Sequence, residues 1–382
     1  MARRVATQSV GGFKGKLAVL VFLVPMLLSA CSDPEPISIG FVGGLSGRVA
    51  DLGIAGRNGA ILAVEEINAA GGINGQHLKL IIRDDEQNSD KVKAEVQGLL
   101  EQNVTAIIGP MTSSMTVLAV PLVNDAAVPL ISPTATTDSL AGIDDHFFRV
   151  ISPTLNYATK NARYQYKQLG KRRIAAVYDI RNKAYTKAWL DNFKAEFEKL
   201  GGTLVSEVTF ASSPNVHFNE LAEKLLESKP DGVLILSNSL DAALICQQVK
   251  KLDGEMHIST SEWAATERLI ELGGAAVEGV LISQFFDRNS KDPAFLEFKK
   301  AFRDRFNQSP GFGSITGYDA VKLLAMALAK NTPGLSLKNK LATIRDFDSA
   351  QGRIQMTNTG DADRKSFLTT VRNGQFVVIE DQ

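Results

Sequence analysis

Short, wholly apolar runs alternate with amphipathic stretches along this chain, and the alternation starts twice. In the first half, 37–42, 78–82, 104–108 and 128–131 read as strands. Between them, 54–69, 91–102 and 113–125 read as helices, with Ile61, Val64 and Ile67 on one stripe of the first and Gly71-Gly72 stopping it. Strands that are apolar throughout and separated by single helices belong to a parallel sheet covered on both faces. The pattern restarts with strands at 174–178, 204–210, 232–236 and 280–283 and helices at 185–200, 218–228 and 240–252. Helices at 295–306 and 315–329 follow, then short strands at 353–356 and within 367–379, turning at Gly374. No Pro/Ser-rich linker separates the halves. The expected fold is therefore α/β, with two Rossmann-like lobes closely joined and a cleft between them, a common place for small ligands.

The N-terminus carries an address. Arg3, Arg4, Lys14 and Lys16 precede an apolar run over 17–30 that contains Pro25. At 14 residues the run is short of the ~20 a membrane span needs, and its charged start and small-residue end read as a secretory signal. Leu28-Ser29-Ala30-Cys31 resembles the lipobox of bacterial lipoproteins. That implies a signal over 1–30, a lipid on Cys31, a tether over 31–36, and membrane attachment through lipid, in the periplasm or on the outer face of the cell membrane. Losing the four basic residues of the leader turns a formal charge of 0 into −4, which leaves no electrostatic footprint for nucleic acid.

Enzyme chemistry finds little support. There is no Gly-x-Ser-x-Gly, His-Glu-x-x-His or phosphate-loop pattern. Gly43-Gly44-Leu45-Ser46-Gly47 has the wrong spacing for a dinucleotide loop. His77, His146, His217 and His257 are scattered singly, so no metal site is expected. Cys246 lies in an apolar helical context and reads as core. Asp84-Asp85-Glu86 reads as loop and helix-start carboxylates. No cofactor is implied. Two loops stand out: 109–114, with Thr112, Ser113 and Ser114, and 132–137, with Thr134, Ala135, Thr136 and Thr137. Each leaves a strand and runs toward a helical turn. Emerging at one carboxyl edge of a parallel sheet, they could hold an anion, or simply N-cap the turns that follow.

One stretch carries a resemblance. Leu45-Ser46-Gly47, Gly53, Gly56, the run Ala63-Val64-Glu65-Glu66-Ile67-Asn68-Ala69-Ala70-Gly71-Gly72-Ile73-Asn74-Gly75, then Asp84-Asp85-Glu86 and Ile107-Ile108-Gly109-Pro110 resemble the type I periplasmic solute-binding family that includes the leucine/isoleucine/valine-binding proteins. The likeness continues in order and weakens after about Phe285. It implies lobes of 37–150 with 285–350 and of 151–284 with 351–382, joined by a three-segment hinge. It also implies Ser113 and Thr136 on a ligand's α-carboxylate, and the Thr134 carbonyl and Thr136 on its α-ammonium. Tyr185 would close over the ligand from the second lobe, and Glu262 would pair with the ammonium. Leu52 and Ser239 stand where the family has aromatic side chains, so the resemblance implies the amino-acid backbone site without implying the branched-chain side-chain pocket. Trp263 is a pocket wall or core.

The implied function is an extracytoplasmic binding lipoprotein, expected as a monomer, that hands an amino acid or related zwitterion to an ABC permease. A sensor with the same cleft is the alternative, and an enzyme the more distant one.

Overall fold

The computed structural model describes residues 1–11 and 34–379; the apolar run and Cys31 lie outside the described residues. The first half runs β1 (Ile37–Gly43), α1 (Ala50–Ala69), β2 (Leu78–Asp84), α2 (Ser89–Glu101), β3 (Ile107–Ile108), α3 (Ser113–Asp125), β4 (Leu130–Ser132) and β5 (Phe147–Arg149). Its five strands form a parallel sheet ordered β2-β1-β3-β4-β5. The second half runs α4 (Thr154–Lys167), β6 (Arg173–Asp179), α5 (Lys183–Lys199), β7 (Thr203–Phe210), α6 (Phe218–Glu227), β8 (Gly232–Leu236), α7 (Ser239–Leu252), β9 (Ile258–Thr260), α8 (Glu267–Gly273) and β10 (Leu281–Gln284). Its parallel strands lie in the order β7-β6-β8-β9-β10, the same winding as the first sheet. In both sheets the chain goes to one side of its first strand and then to the other, and such a switch point opens a crevice at the carboxyl edge.

The remaining chain returns. α9 (Pro293–Phe306), α10 (Phe312–Ala329) and α11 (Leu337–Ala342) precede a small antiparallel sheet of β11 (Asp346–Ser349), β12 (Gly352–Met356) and β13 (Ala362–Asp363). β14 (Phe367–Arg372) and β15 (Gln375–Ile379) then add antiparallel to β10, completing a seven-stranded sheet. The chain thus passes between the lobes after β5, after β10 and before β14.

Burial alternates along the parallel strands as a doubly covered sheet requires. Ile39, Phe41 and Ile108 enter one apolar cluster while Val42 and Ile107 enter another. Ile174 and Ala176 likewise face away from Ala175 and Val177. α10 packs on α1 through glycines: a Cβ on Gly59 would sit 1.9 Å from the Ser314 carbonyl oxygen, and one on Gly317 2.1 Å from that of Gly56. The helices approach backbone to backbone, a distance no larger residue permits.

The hinge is a charged, buried seam. Arg149 Nε donates to Asp361 Oδ1 at 2.7 Å, and the Arg149 amide to the Gly360 carbonyl at 2.9 Å. Arg364 pairs with Asp319 at 2.8 Å and donates to Ser349 Oγ at 2.9 Å, while its amide donates to Ser152 Oγ at 2.7 Å. The segments around 150 and 362 are therefore bound side by side.

Candidate functional site

Four loops at the facing carboxyl edges meet between the lobes. The first lobe supplies Met111, Thr112 and Ser113 after β3, Thr134 after β4, Leu52 from α1 and Phe312 from α10. The second supplies Asn182 and Tyr185 after β6, and Glu262 and Trp263 after β9; Ile151 comes from the hinge. The free volume among them is about 20 Å³, roughly what one water molecule requires. A solute of several heavy atoms enters only when the lobes part.

Glu262 is the sole charged group in this lining. It is 3% exposed and sits in a turn of 3-10 helix, Glu262–Ala264. The Trp189 indole N–H donates to its Oε2 at 3.2 Å. Burial nevertheless pushes its pKa up to about 7, because desolvation disfavours the charged form. Tyr185 stands beside it, packed edge-on against Trp263 with ring centroids 5.7 Å apart. Burial, and next the Glu262 charge, raise the Tyr185 phenol well above its ordinary pKa, so it stays a neutral hydroxyl.

Opposite lies the amide end of α3. Ser113 Oγ accepts the Thr136 and Thr137 amides, each at 3.3 Å, which leaves its own proton to donate. Thr134 Oγ1 donates to the Met111 carbonyl. Thr112 Oγ1 is buried in the lining without a partner in the protein, and Tyr185 Oη and Glu262 Oε1, beside one another, have no well-formed bond to any other group. Buried polar groups are rarely left so. These atoms converge on one void between the lobes.

Of the residues singled out in the sequence, Leu52, Ser113, Thr134, Tyr185, Glu262 and Trp263 all border the void. Ala135, Thr136 and Ser239 are buried outside the lining. Ala135 is fully buried and donates its amide to Ser132 Oγ at 3.1 Å. Thr136 reaches the site through its amide on Ser113, and its hydroxyl accepts from Thr154 at 3.0 Å. Ser239 donates to Asp51 across the lobes at 2.6 Å. Sequence reasoning did not name Met111, Thr112, Ile151, Asn182 or Phe312 as contacts. Met111 and Thr112 lie in a loop already noted and Asn182 three residues before Tyr185, whereas Ile151 and Phe312 are brought in only by the hinge.

The acidic run has a structural task. Asp84 Oδ1 accepts the Leu45 amide at 2.8 Å and the Glu86 amide at 2.9 Å, and Asp85 Oδ1 accepts that of Gln87 at 2.7 Å. It braces the loop after β1. Cys246 is 1% exposed and packs in the second lobe's core. Among the described residues, no group of three or more His, Cys, Asp or Glu is placed to hold a metal ion.

The sequence profile of the periplasmic binding protein family matches residues 36–375, nearly the whole described chain. The chain belongs to this family. Among curated relatives, the leucine-, isoleucine-, valine-, threonine- and alanine-binding protein of Pseudomonas aeruginosa is 25% identical over 346 residues, 88% of this chain and 89% of that protein. Among solved structures, the branched-chain amino acid transporter substrate-binding protein of Streptococcus pneumoniae, in complex with isoleucine, superposes with a TM-score of 0.82 at 25% identity, covering 90% of this chain and 99% of that one. A solute-binding protein of an ABC transporter from R. palustris, in complex with benzoate, gives a TM-score of 0.81 at 19% identity, covering 90% and 95%. Proteins of this family are extracytoplasmic, and the relatives are binding proteins rather than enzymes, which supports a solute-binding role for this two-lobed chain.

Proposed function

We propose that the chain is a lipid-anchored, extracytoplasmic protein that captures an amino acid or closely related zwitterion between its lobes and delivers it to an ABC importer. The lobes are taken as 37–150 with 285–350 and 151–284 with 351–382. One observation carries the reading. The buried carboxylate of Glu262, met only by the neutral Trp189 and Tyr185 donors and by no cation, lies across the void from the hydroxyls of Ser113 and Thr112 at the start of α3. An ammonium group satisfies the first and a carboxylate the second, and charge-assisted bonds of this kind are the strong ones. Leu52, Met111, Trp263 and Phe312 supply an apolar wall for a side chain. Ligand binding that favours the closed arrangement shifts the lobes toward it, and the closed form is what a permease would receive. The relatives' branched-chain and amino-acid ligands agree with this class.

A thermal-shift screen over amino acids, amides and small carboxylates tests the reading, because binding to the folded state raises its stability. The expected result is a raised melting temperature with at least one α-amino acid and none with the carboxylate that lacks its amine. Equal stabilisation by both would remove Glu262 from the site and overturn the zwitterion assignment. Mass spectrometry of the mature N-terminus tests the lipid on Cys31.

A further inference from the structure

We propose that two contacts between the lobes, the first wholly outside the cavity lining and the second at its edge, hold the lobes closed before solute arrives, and so set affinity without setting preference. The inference rests on capture between the lobes as proposed above.

The first contact joins Arg48 to Asp241. Arg48 belongs to the first lobe, in the turn Gly47–Val49 ahead of α1; Asp241 belongs to the first turn of α7 in the second. The Asp241 side chain is wholly buried, in a socket built by its own lobe. Asn238 Nδ2 donates to it at 2.7 Å, Ser212 Oγ donates as well, and Asn238 Oδ1 accepts the Asp241 amide at 3.0 Å. The cation comes from across the cleft: the Arg48 guanidinium bonds Asp241, and its Nε lies 3.1 Å from Ser212 Oγ. When the lobes part, Asp241 keeps only neutral donors. Parting the lobes breaks the charge-assisted bonds of the guanidinium to Asp241 and its contact with Ser212 and leaves the carboxylate to water, so those bonds favour the closed form.

The second contact is an exchange of helix caps. Asn182 Oδ1, in the second lobe, accepts the Ser114 amide at the start of α3 at 3.0 Å. Ser114 Oγ, in the first lobe, accepts the Ala184 amide at the start of α5 at 3.1 Å. Each lobe therefore satisfies an amide that the other's helix cannot satisfy internally. Neither helix has a side-chain cap from its own N-cap residue, Thr112 or Asn182. Opening breaks both bonds together. Arg48, Asp241 and Ser114 are absent from the cavity lining, so they act on the equilibrium between open and closed lobes and not on the solute.

For a ligand that binds the closed form, the apparent dissociation constant is the intrinsic one divided by the closed fraction. Loosening the latch weakens every ligand by one common factor. The test uses the mature chain with Lys93→Cys and Lys224→Cys, exposed positions on α2 and α6, labelled for interlobe distance measurement without ligand. Arg48→Gln and Ser114→Ala are each expected to lengthen the mean distance. Each is also expected to raise the dissociation constants of a strong and a weak amino-acid ligand by the same factor, about tenfold, leaving their ratio unchanged. Arg48→Lys, which keeps the charge, is expected to recover part of the loss. An unchanged distance in both variants, or a changed ratio of affinities, would overturn the proposal. Melting curves verify that each variant is folded; should Arg48→Gln fail to fold, Ser114→Ala, which loses one hydroxyl, gives the same readout. If no amino acid binds even the parent protein, the capture reading fails, while the ligand-free distances still decide whether the latch exists.

Discussion

Trp189 donates its indole N–H to Glu262 Oε2 at 3.2 Å, while the other carboxylate oxygen is buried with only the Tyr185 hydroxyl beside it. The carboxylate is thus positioned by the second lobe's own aromatic core and left half satisfied at the cleft. Trp189, Phe193 and Phe197 stack along α5 behind it and fix its support. In the proposed site, this rigidly held carboxylate without a cation is the group that would meet a ligand's ammonium.

Replacing Glu262 with Gln or Ala is expected to weaken amino-acid binding by about 2–5 kcal/mol, the usual cost of deleting one member of a desolvated charge pair. Calorimetric titration checks this against melting curves that verify folding. Unchanged affinity would place the ammonium elsewhere.

The same carboxylate makes binding depend on pH. Without ligand its pKa lies at about 7, raised by burial; an ammonium partner lowers it in the complex. Protons then compete with the ligand below pH 7. Affinity is expected to be flat above pH 7 and to fall by up to about tenfold per pH unit below it. Titrations from pH 5 to 8 would show the slope, and Glu262→Gln would abolish it.

Stability carries the opposite sign. A carboxyl whose folded pKa of about 7 exceeds the ordinary 4.5 binds its proton more tightly in the folded chain. Its contribution is full below pH 4.5 and is lost as pH rises through about 7. Asp85 and Asp179, each pushed by burial up to about 6, act in the same direction. Ligand-free Glu262→Gln is therefore expected to gain melting temperature over the parent at pH 8 and little at pH 4.5. No difference between the two pH values would refute the buried-carboxylate account.

The alternation of apolar runs was enough to read two parallel sheets, because strands covered on both faces leave an unbroken apolar signature. It did not reveal β5 or β9, whose apolar residues are broken by polar ones: Arg149 ends the first, and Ser259 and Thr260 make up most of the second. Nor did it reveal α4, whose buried face is partly polar: Gln165 donates to Ser259 at 2.8 Å and Asn161 to Ser283 at 3.3 Å, so the helix lacks an apolar stripe. In the site, loop residues such as Ser113 and Thr134 were legible from their place after strands. Ile151 and Phe312 were not, since only the hinge brings them together. Gly53 and Gly56 were visible as marks of resemblance, but their reasons, the Gly44 carbonyl 2.0 Å from a Cβ on Gly53 and the Met111 side chain against one on Gly56, are distances without a sequence pattern, as is the α1–α10 crossing at Gly59 and Gly317.

That crossing is testable. A methyl on Gly59 would meet backbone, the Ser314 carbonyl at 1.9 Å, which no rotamer change relieves. Gly59→Ala would ordinarily stabilise a helix by about 1 kcal/mol through propensity. Here overpacking is expected to outweigh that gain, for a net loss of about 1–3 kcal/mol in denaturant unfolding. Gly98→Ala, on α2 with open space around it, is the control and is expected to stabilise. Destabilisation of both alike would refute the close approach as the cause.

The hinge pair Arg364–Asp319 offers a test of the seam itself. Arg364 is 3% exposed and Asp319 1%, and burial raises the Asp319 pKa against the pull of Arg364. The guanidinium also reaches Ser349 at 2.9 Å, so it ties α10 to β11 and to the segment leading into β14. Arg364→Met alone leaves a buried carboxylate without its cation and is expected to cost about 3–5 kcal/mol. Asp319→Leu alone strands the guanidinium and is expected to cost as much. The double variant removes both charges and keeps the volume apolar, so it is expected to lose far less than the sum of the two. Urea unfolding of the four proteins measures the cycle. Additive losses would mean that the two side chains stabilise the hinge separately, through Ser349 and the Val150 carbonyl, and that their ion pair contributes nothing to holding the lobes together.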